Sequence, residues 1–90
     1  MRKRIAVLAR EDQAEALRVA VGLTLLDGRV EVYILDRAPA TDPETRRHLE
    51  ALADAGAPVF TNVPGGVSLR SLPNSEIARR ILACDHVVAY

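Results

Sequence analysis

Two hydrophobic spacings alternate along this chain. Short runs rich in β-branched residues are separated by longer segments in which apolar residues recur at helical spacing. The four runs are Ile5 to Leu8, Val30 to Leu35, Val59 to Thr61 and His86 to Tyr90. Strands that alternate with helices in this way are typical of a parallel sheet covered by helices. The sequence therefore predicts an α/β fold, with a parallel sheet of about four strands and flanking helices.

Capping and terminating residues predict where three helices begin and end. Ser, Thr, Asp and Asn cap helix N-termini, and glycine commonly ends a helix in a left-handed turn. The predicted boundaries are Asp12 to Asp27-Gly28 for the first helix, Thr41 or Asp42 to Gly56 for the second, and Asn74 or Ser75 to about Cys84 for the third. We expect a left-handed turn at Gly28 and a helix terminator at Gly56.

The composition predicts one globular domain over residues 1–90, with 49% hydrophobic residues. Its 12 basic and 12 acidic residues cancel, so no broad field attracts nucleic acid or an anionic membrane. A small core and a net charge of zero both favour self-association. We therefore expect a homo-oligomer or an assembly with related subunits, and neither nucleic acid nor membrane as a partner.

The single cysteine, Cys84, excludes an internal disulfide and a zinc site built from several cysteines. A reducing cytoplasm is the expected location. The basic start is followed by a short apolar run, Ile5 to Ala9, which is too short for a signal peptide. No run approaches the roughly 20 apolar residues that span a bilayer.

Parallel sheets bind ligands beyond the carboxyl ends of their strands, which here are followed by Arg10 and Glu11, by Asp36, and by Asn62. We expect these side chains to form the ligand site. The first strand is followed by Ala9-Arg-Glu-Asp-Gln, which lacks the glycines of a dinucleotide site. The position of Asp36, where a ribose-binding acid would lie, is therefore interpreted as a coincidence.

The segment 62–73 shows neither hydrophobic period, and its two prolines and glycine pair predict a loop. Gly65 and Gly66 could present backbone amides to a small anion, with Ser68 and Arg70 as further donors. Ordinary turn chemistry with a surface arginine is the favoured alternative, because glycine pairs are common in loops.

Cys84, Asp85 and His86 place a thiol, an acid and an imidazole in succession. They lie where the third helix leads into the amino end of the last strand, opposite the expected crevice. Cys84 is therefore a weak catalytic candidate, and a buried small hydrophobe is the favoured interpretation. The sequence predicts no metal site and no cofactor.

The chain resembles the DsrE/DsrF-like family of small sulfur-relay proteins. The resemblance rests on the apolar pattern of the segments Ala16 to Asp36 and Ile81 to Tyr90, and on Gly56 before the third strand. It implies a flavodoxin-like parallel sheet, a cytoplasmic location and homo- or hetero-oligomers. Active members carry a persulfide on a cysteine just after the third strand. At this position the chain has the sequence Phe60-Thr-Asn-Val-Pro-Gly-Gly, which contains no cysteine.

Two functional hypotheses follow. The favoured one is a non-catalytic, DsrE-like binding or assembly protein linked to sulfur metabolism, with a small anionic ligand at the crevice. The alternative is a sulfur carrier or sulfurtransferase that uses Cys84, which would require a thiolate nucleophile at neutral pH.

Overall fold

A computed structural model describes residues 3–26, 28–64 and 69–90 of the chain. Within these ranges the chain forms five strands and three helices. In chain order they are β1 (Lys3–Ala9), α1 (Gln13–Thr24), β2 (Gly28–Ile34), α2 (Pro43–Asp54), β3 (Val59–Thr61), β4 (Arg70–Ser71), α3 (Asn74–Leu82) and β5 (His86–Ala89). None of these helices is long and apolar enough to cross a membrane.

The strands form one sheet in the order β4-β3-β2-β1-β5, and every neighbouring pair is parallel. The predicted α/β fold with a parallel sheet and flanking helices is confirmed, and it is compatible with a flavodoxin-like architecture. The strand order differs from the flavodoxin order of 2-1-3-4-5, in which β1 lies between β2 and β3, although β1 is an interior strand in both. Here the two neighbours of β1 are β2 and β5.

The strands bury side chains on both faces of the sheet. Val7 and Val32 pack with α1 and α2 on one face, whereas Ala6 and Tyr33 pack with α3 on the other. The two strands β1 and β2 each pair on both sides, and every residue of β2 except Arg29 is buried. This sandwich of helices, sheet and helix leaves the strand ends to form the rims of the molecule.

The predicted N-terminal caps of α1 and α2 are confirmed, whereas α3 begins at Asn74 without a side-chain cap. The Asp12 carboxylate accepts a hydrogen bond from the backbone N–H of Glu15 at 3.1 Å, and Asp42 accepts one from Thr45 at 3.3 Å. Gly56 follows α2 with φ of 77°, which is the left-handed conformation that glycine adopts without strain. Local capping chemistry therefore fixes where α1 and α2 begin and where α2 ends.

Two predictions were wrong. Gly28 makes no left-handed turn, because it is the first residue of β2 and is buried against β1. A Cβ atom there would lie 3.2 Å from Cδ1 of Ile5, so close packing explains this glycine. The segment predicted as a loop contains β4, whose pairing with β3 joins Phe60 to Arg70 and Thr61 to Ser71.

Candidate functional site

The carboxyl ends of three adjacent strands bring together three of the predicted site residues. Arg10 follows β1, Asp36 follows β2 and Asn62 follows β3. The Arg10 Nε donates a hydrogen bond to Asp36 Oδ2 at 2.6 Å, and the Asn62 Nδ2 donates to Asp36 Oδ1 at 3.3 Å. We call these three side chains the rim triad. The structure therefore brings these three predicted site residues together at this edge.

Asp36 has an unusual backbone conformation, with φ of 74°. Aspartate and asparagine tolerate this left-handed region better than most residues do. The backbone N–H of Asp36 donates to Asn62 Oδ1 at 2.8 Å. Asn62 therefore forms hydrogen bonds with both the main chain and the side chain of Asp36. The hydrogen bond from Asn62 and the ion pair with Arg10 hold the pKa of the Asp36 carboxyl below its usual range.

The first residue of α3 extends the rim triad. Asn62 Nδ2 donates a second hydrogen bond, of 3.0 Å, to the side-chain oxygen of Asn74. The residue before it, Pro73, provides no side-chain cap for α3. The polar chain therefore runs from β1 across the sheet to the start of α3.

A cleft of about 380 Å³ lies between the N-terminal ends of α1 and α2, on the same rim. Its lining comprises Glu11, Asp12, Gln13, Ala14, Leu17, Arg37, Ala38, Ala40, Asp42, Glu44, Thr45 and His48. The side chain of Gln13 is buried and shapes this cleft, because its Nε2 donates to the carbonyl oxygens of Leu35 and Arg37 at 3.4 and 3.1 Å.

Carboxylates already occupy the helix ends that face the cleft. Asp12 caps α1 and Asp42 caps α2, so a carboxylate of the chain already compensates the partial positive charge of each helix N-terminus. A phosphate would have to displace them. The N-termini of α1 and α2 at this cleft are therefore already paired with carboxylates of the chain.

The remaining predicted site residues are placed differently. Glu11 lines the cleft, and its carbonyl oxygen accepts a hydrogen bond from Arg37 Nη2 at 3.3 Å. Arg70 lies on β4, with its guanidinium carbon 6.0 Å from the centre of the Phe60 ring. The predicted anion-binding residues Gly65, Gly66 and Ser68 lie outside the described residues.

A second polar cluster, which we call the buried cluster, lies on the face covered by α3. Its centre is Glu31, which accepts hydrogen bonds from Tyr33 Oη at 2.7 Å and from Arg4 Nε at 2.9 Å. Cys84 completes the cluster, with its Sγ 3.7 Å from Glu31 Oε1. Glu31 lies five residues before Asp36, which corresponds to about 16 Å along an extended chain. Cys84 is therefore remote from the rim triad.

The surroundings of Cys84 disfavour a thiolate. Burial raises the pKa of the thiol, and the nearby Glu31 carboxylate raises it further. For Glu31, burial raises the pKa, but the hydrogen bonds from Tyr33 and Arg4 outweigh burial and leave it lowered. The carboxylate is therefore ionised at neutral pH and repels a second negative charge on sulfur.

Sequence reasoning missed Gln13, His48 and Asn74 as residues of this rim. Each lies in a helix, where the local sequence gives no reason to expect a functional role. His48, for example, is predicted to be a solvated residue among charged neighbours. Their contacts depend on how α1, α2 and α3 pack. Only the proximity of helix N-termini to the carboxyl ends of parallel strands could have pointed to them.

Among the described residues, no group of three or more His, Cys, Asp or Glu side chains is arranged to hold a metal ion. No protein-family model, no curated protein and no solved structure matches the chain.

Proposed function

We propose that this chain is a non-catalytic, DsrE-like binding and assembly protein of the cytoplasm, linked to sulfur metabolism, which holds a small anion at the rim triad. The observation that supports this proposal is the convergence of Arg10, Asp36 and Asn62 at the edge where parallel sheets bind ligands. The free thiol of Cys84 is consistent with a reducing location.

At the rim, Arg10 can exchange its ion-pair partner Asp36 for a bound anion. The side chains of Arg10 and Asp36 are 63% and 51% exposed, and water competes for such pairs. An incoming anion can replace Asp36 on the guanidinium of Arg10 and accept a hydrogen bond from the Asn62 amide. Arginine suits this role because it presents several donors in one plane.

The sulfur-carrier alternative has less support. Transfer from thiosulfate requires the Cys84 thiolate to attack the outer sulfur, so that an S–S bond forms on the protein and sulfite leaves with the electron pair of the broken bond. The raised pKa of Cys84 and its contact with Glu31 both reduce the thiolate available for this step.

Anion binding is tested by titrating the protein with thiosulfate and with sulfate, using calorimetry. We expect Arg10→Ala to weaken binding by about tenfold, because a hydrogen bond to a charged group is lost. Arg18→Ala is the matched control, since the Arg18 side chain is 62% exposed and also forms an ion pair of 2.6 Å, with Glu15 on α1. Equal binding by wild type and Arg10→Ala would refute the rim site.

The non-catalytic part of the proposal has its own test. Wild type and Cys84→Ser are incubated with thiosulfate at neutral pH and analysed by intact mass. We expect neither protein to gain a sulfur atom. An added sulfur in wild type that is absent from Cys84→Ser would establish the carrier function instead.

A further inference from the structure

Within residues 3–26, 28–64 and 69–90, the outward backbone groups of the edge strand β5 make no hydrogen bond. It pairs with β1 on one side, where Tyr90 N–H donates to Leu8 O and Tyr90 O accepts from Arg10 N–H. Successive residues of a strand direct these groups to opposite sides, so Val87 and Ala89 direct theirs away from the sheet. Such an outward row is a template for another strand.

The two edges of the sheet differ in how they are protected. At one edge, β4 is two residues long, carries Arg70 and is followed closely by Pro73. Short length, charge and proline all discourage pairing with a further strand. At the other edge, the sequence of β5 is His-Val-Val-Ala, without lysine, arginine, acid or proline. This edge is open to pairing.

Exposed apolar side chains accompany the open edge. Val87 is 44% exposed and pairs with Ala6, so it lies on the face covered by α3. Leu82, at the end of α3, is 86% exposed. Arg80 stacks on Phe60 of β3, and Ile77 faces the sheet.

The flank of α3 that faces away from β3 continues this apolar surface. Residues of a helix are spaced by about 100° around its axis, which places Ala78 and Leu82 on the flank opposite Arg80, towards β5. Ala78 and Ala89 are also exposed. Ala78, Leu82, Val87 and Ala89 are exposed apolar residues on the face covered by α3, and we call these four residues the apolar strip.

We propose that a second copy of this chain pairs its β5 antiparallel with β5, about a two-fold axis near Val88, so that the two sheets become one. The inference rests on the assembly part of the proposed function and not on the rim triad. Antiparallel pairing about this axis brings the strip against its own copy, which is self-complementary because the strip carries no charge. A net charge of zero adds no long-range repulsion between copies.

The size of the strip predicts the strength of the dimer. A standard interface uses about 20–30 residues on each side, and β5 with one flank of α3 supplies fewer. We therefore expect dissociation in the micromolar range. Sedimentation velocity between about 1 and 300 µM covers this range.

The variants Leu82→Glu and Val87→Lys test the interface. Each places an unpaired charge in the apolar surface that the interface would bury, so we expect a monomer at every concentration, with an unchanged circular dichroism spectrum. Leu25→Glu is the matched control, because Leu25 is 85% exposed and follows α1 instead of adjoining the strip. We expect it to dimerise like wild type.

The outcomes separate this inference from the proposed function. A wild type that stays monomeric overturns both the interface and the assembly role. A dimer that withstands Leu82→Glu and Val87→Lys, or that Leu25→Glu disrupts instead, overturns this interface alone. Hydrogen exchange gives an independent readout: the amides of Val87 and Ala89 should become protected on dimerisation and lose that protection in Val87→Lys.

Discussion

Two arginine–carboxylate pairs in this molecule have the same chemistry and opposite surroundings. Arg10 lies 2.6 Å from Asp36 at the rim, and Arg4 lies 2.7 Å from Glu31 in the buried cluster. The Asp36 side chain is 51% exposed, whereas that of Glu31 is 9% exposed. Distance alone therefore does not distinguish the proposed ligand site from a structural contact.

Solvent access makes the difference. Glu31 is held by Arg4 and Tyr33, and removing Glu31 would leave the hydroxyl of the fully buried Tyr33 without its acceptor. Asp36 can exchange its protein partners for water or for a ligand at little cost. We infer that the buried cluster stabilises the fold and that the rim triad binds a small anion.

The largest expected effect is on stability. Glu31→Ala leaves Tyr33 and Arg4 without their acceptor, so we expect the free energy of unfolding to fall by about 3 kcal/mol. In a domain of this size the melting temperature should drop by about 10–20 °C. Asp36→Asn is the rim counterpart and should leave the melting temperature nearly unchanged, because asparagine also tolerates the left-handed backbone. Equal losses in the two variants would remove the distinction between the clusters.

Reactivity of Cys84 is the next largest effect. Because burial and Glu31 raise the pKa of the thiol, we expect iodoacetamide to alkylate the folded protein severalfold more slowly at pH 7.5 than the chain unfolded in urea. Glu31→Gln removes the nearby negative charge and should speed the reaction. Alkylation of folded wild type faster than of the unfolded chain would indicate an activated thiol.

Acid titration of stability distinguishes the clusters further. The folded pKa of Glu31 is lowered, so its contribution to stability is present above the ordinary glutamate value of about 4.3 and is lost as the pH falls through the folded value. Unfolding by urea between about pH 6 and pH 2 should therefore show a smaller loss of stability for Glu31→Gln than for wild type. Parallel curves for the two proteins would contradict this role.

The smallest effect is confined to the rim. Asn62 and Arg10 both lower the pKa of Asp36, so Asn62→Ala and Arg10→Ala should each move its titration towards the ordinary aspartate value of about 3.9. Carbon-detected NMR of the Asp36 carboxyl measures this shift. A titration unchanged in both variants would show that the triad does not form in solution.

The sequence predicts the rim better than it predicts the buried cluster. Arg10, Asp36 and Asn62 each follow a strand, so one topological rule brings them together. Glu31 stands between valines in β2, where alternation predicts a solvent-facing position. It is buried because α3, distant in the sequence, covers that face.

The smaller misses have similar causes. A strand of two residues, β4, shows no period that a sequence pattern could reveal. Gly28 resembles a turn glycine, and only the packing of Ile5 across β1 and β2 explains it. Local chemistry, by contrast, is enough for Asp12, Asp42 and Gly56, whose roles depend on neighbours within a few residues.

Mapping thiosulfate binding residue by residue, by NMR chemical-shift perturbation, tests most directly whether the rim binds while the buried cluster only stabilises. The account predicts shifts at the amides of Arg10, Asp36 and Asn62, with Arg4, Glu31 and Cys84 unaffected. Shifts centred on Cys84 and Glu31, with an unperturbed rim, would contradict it.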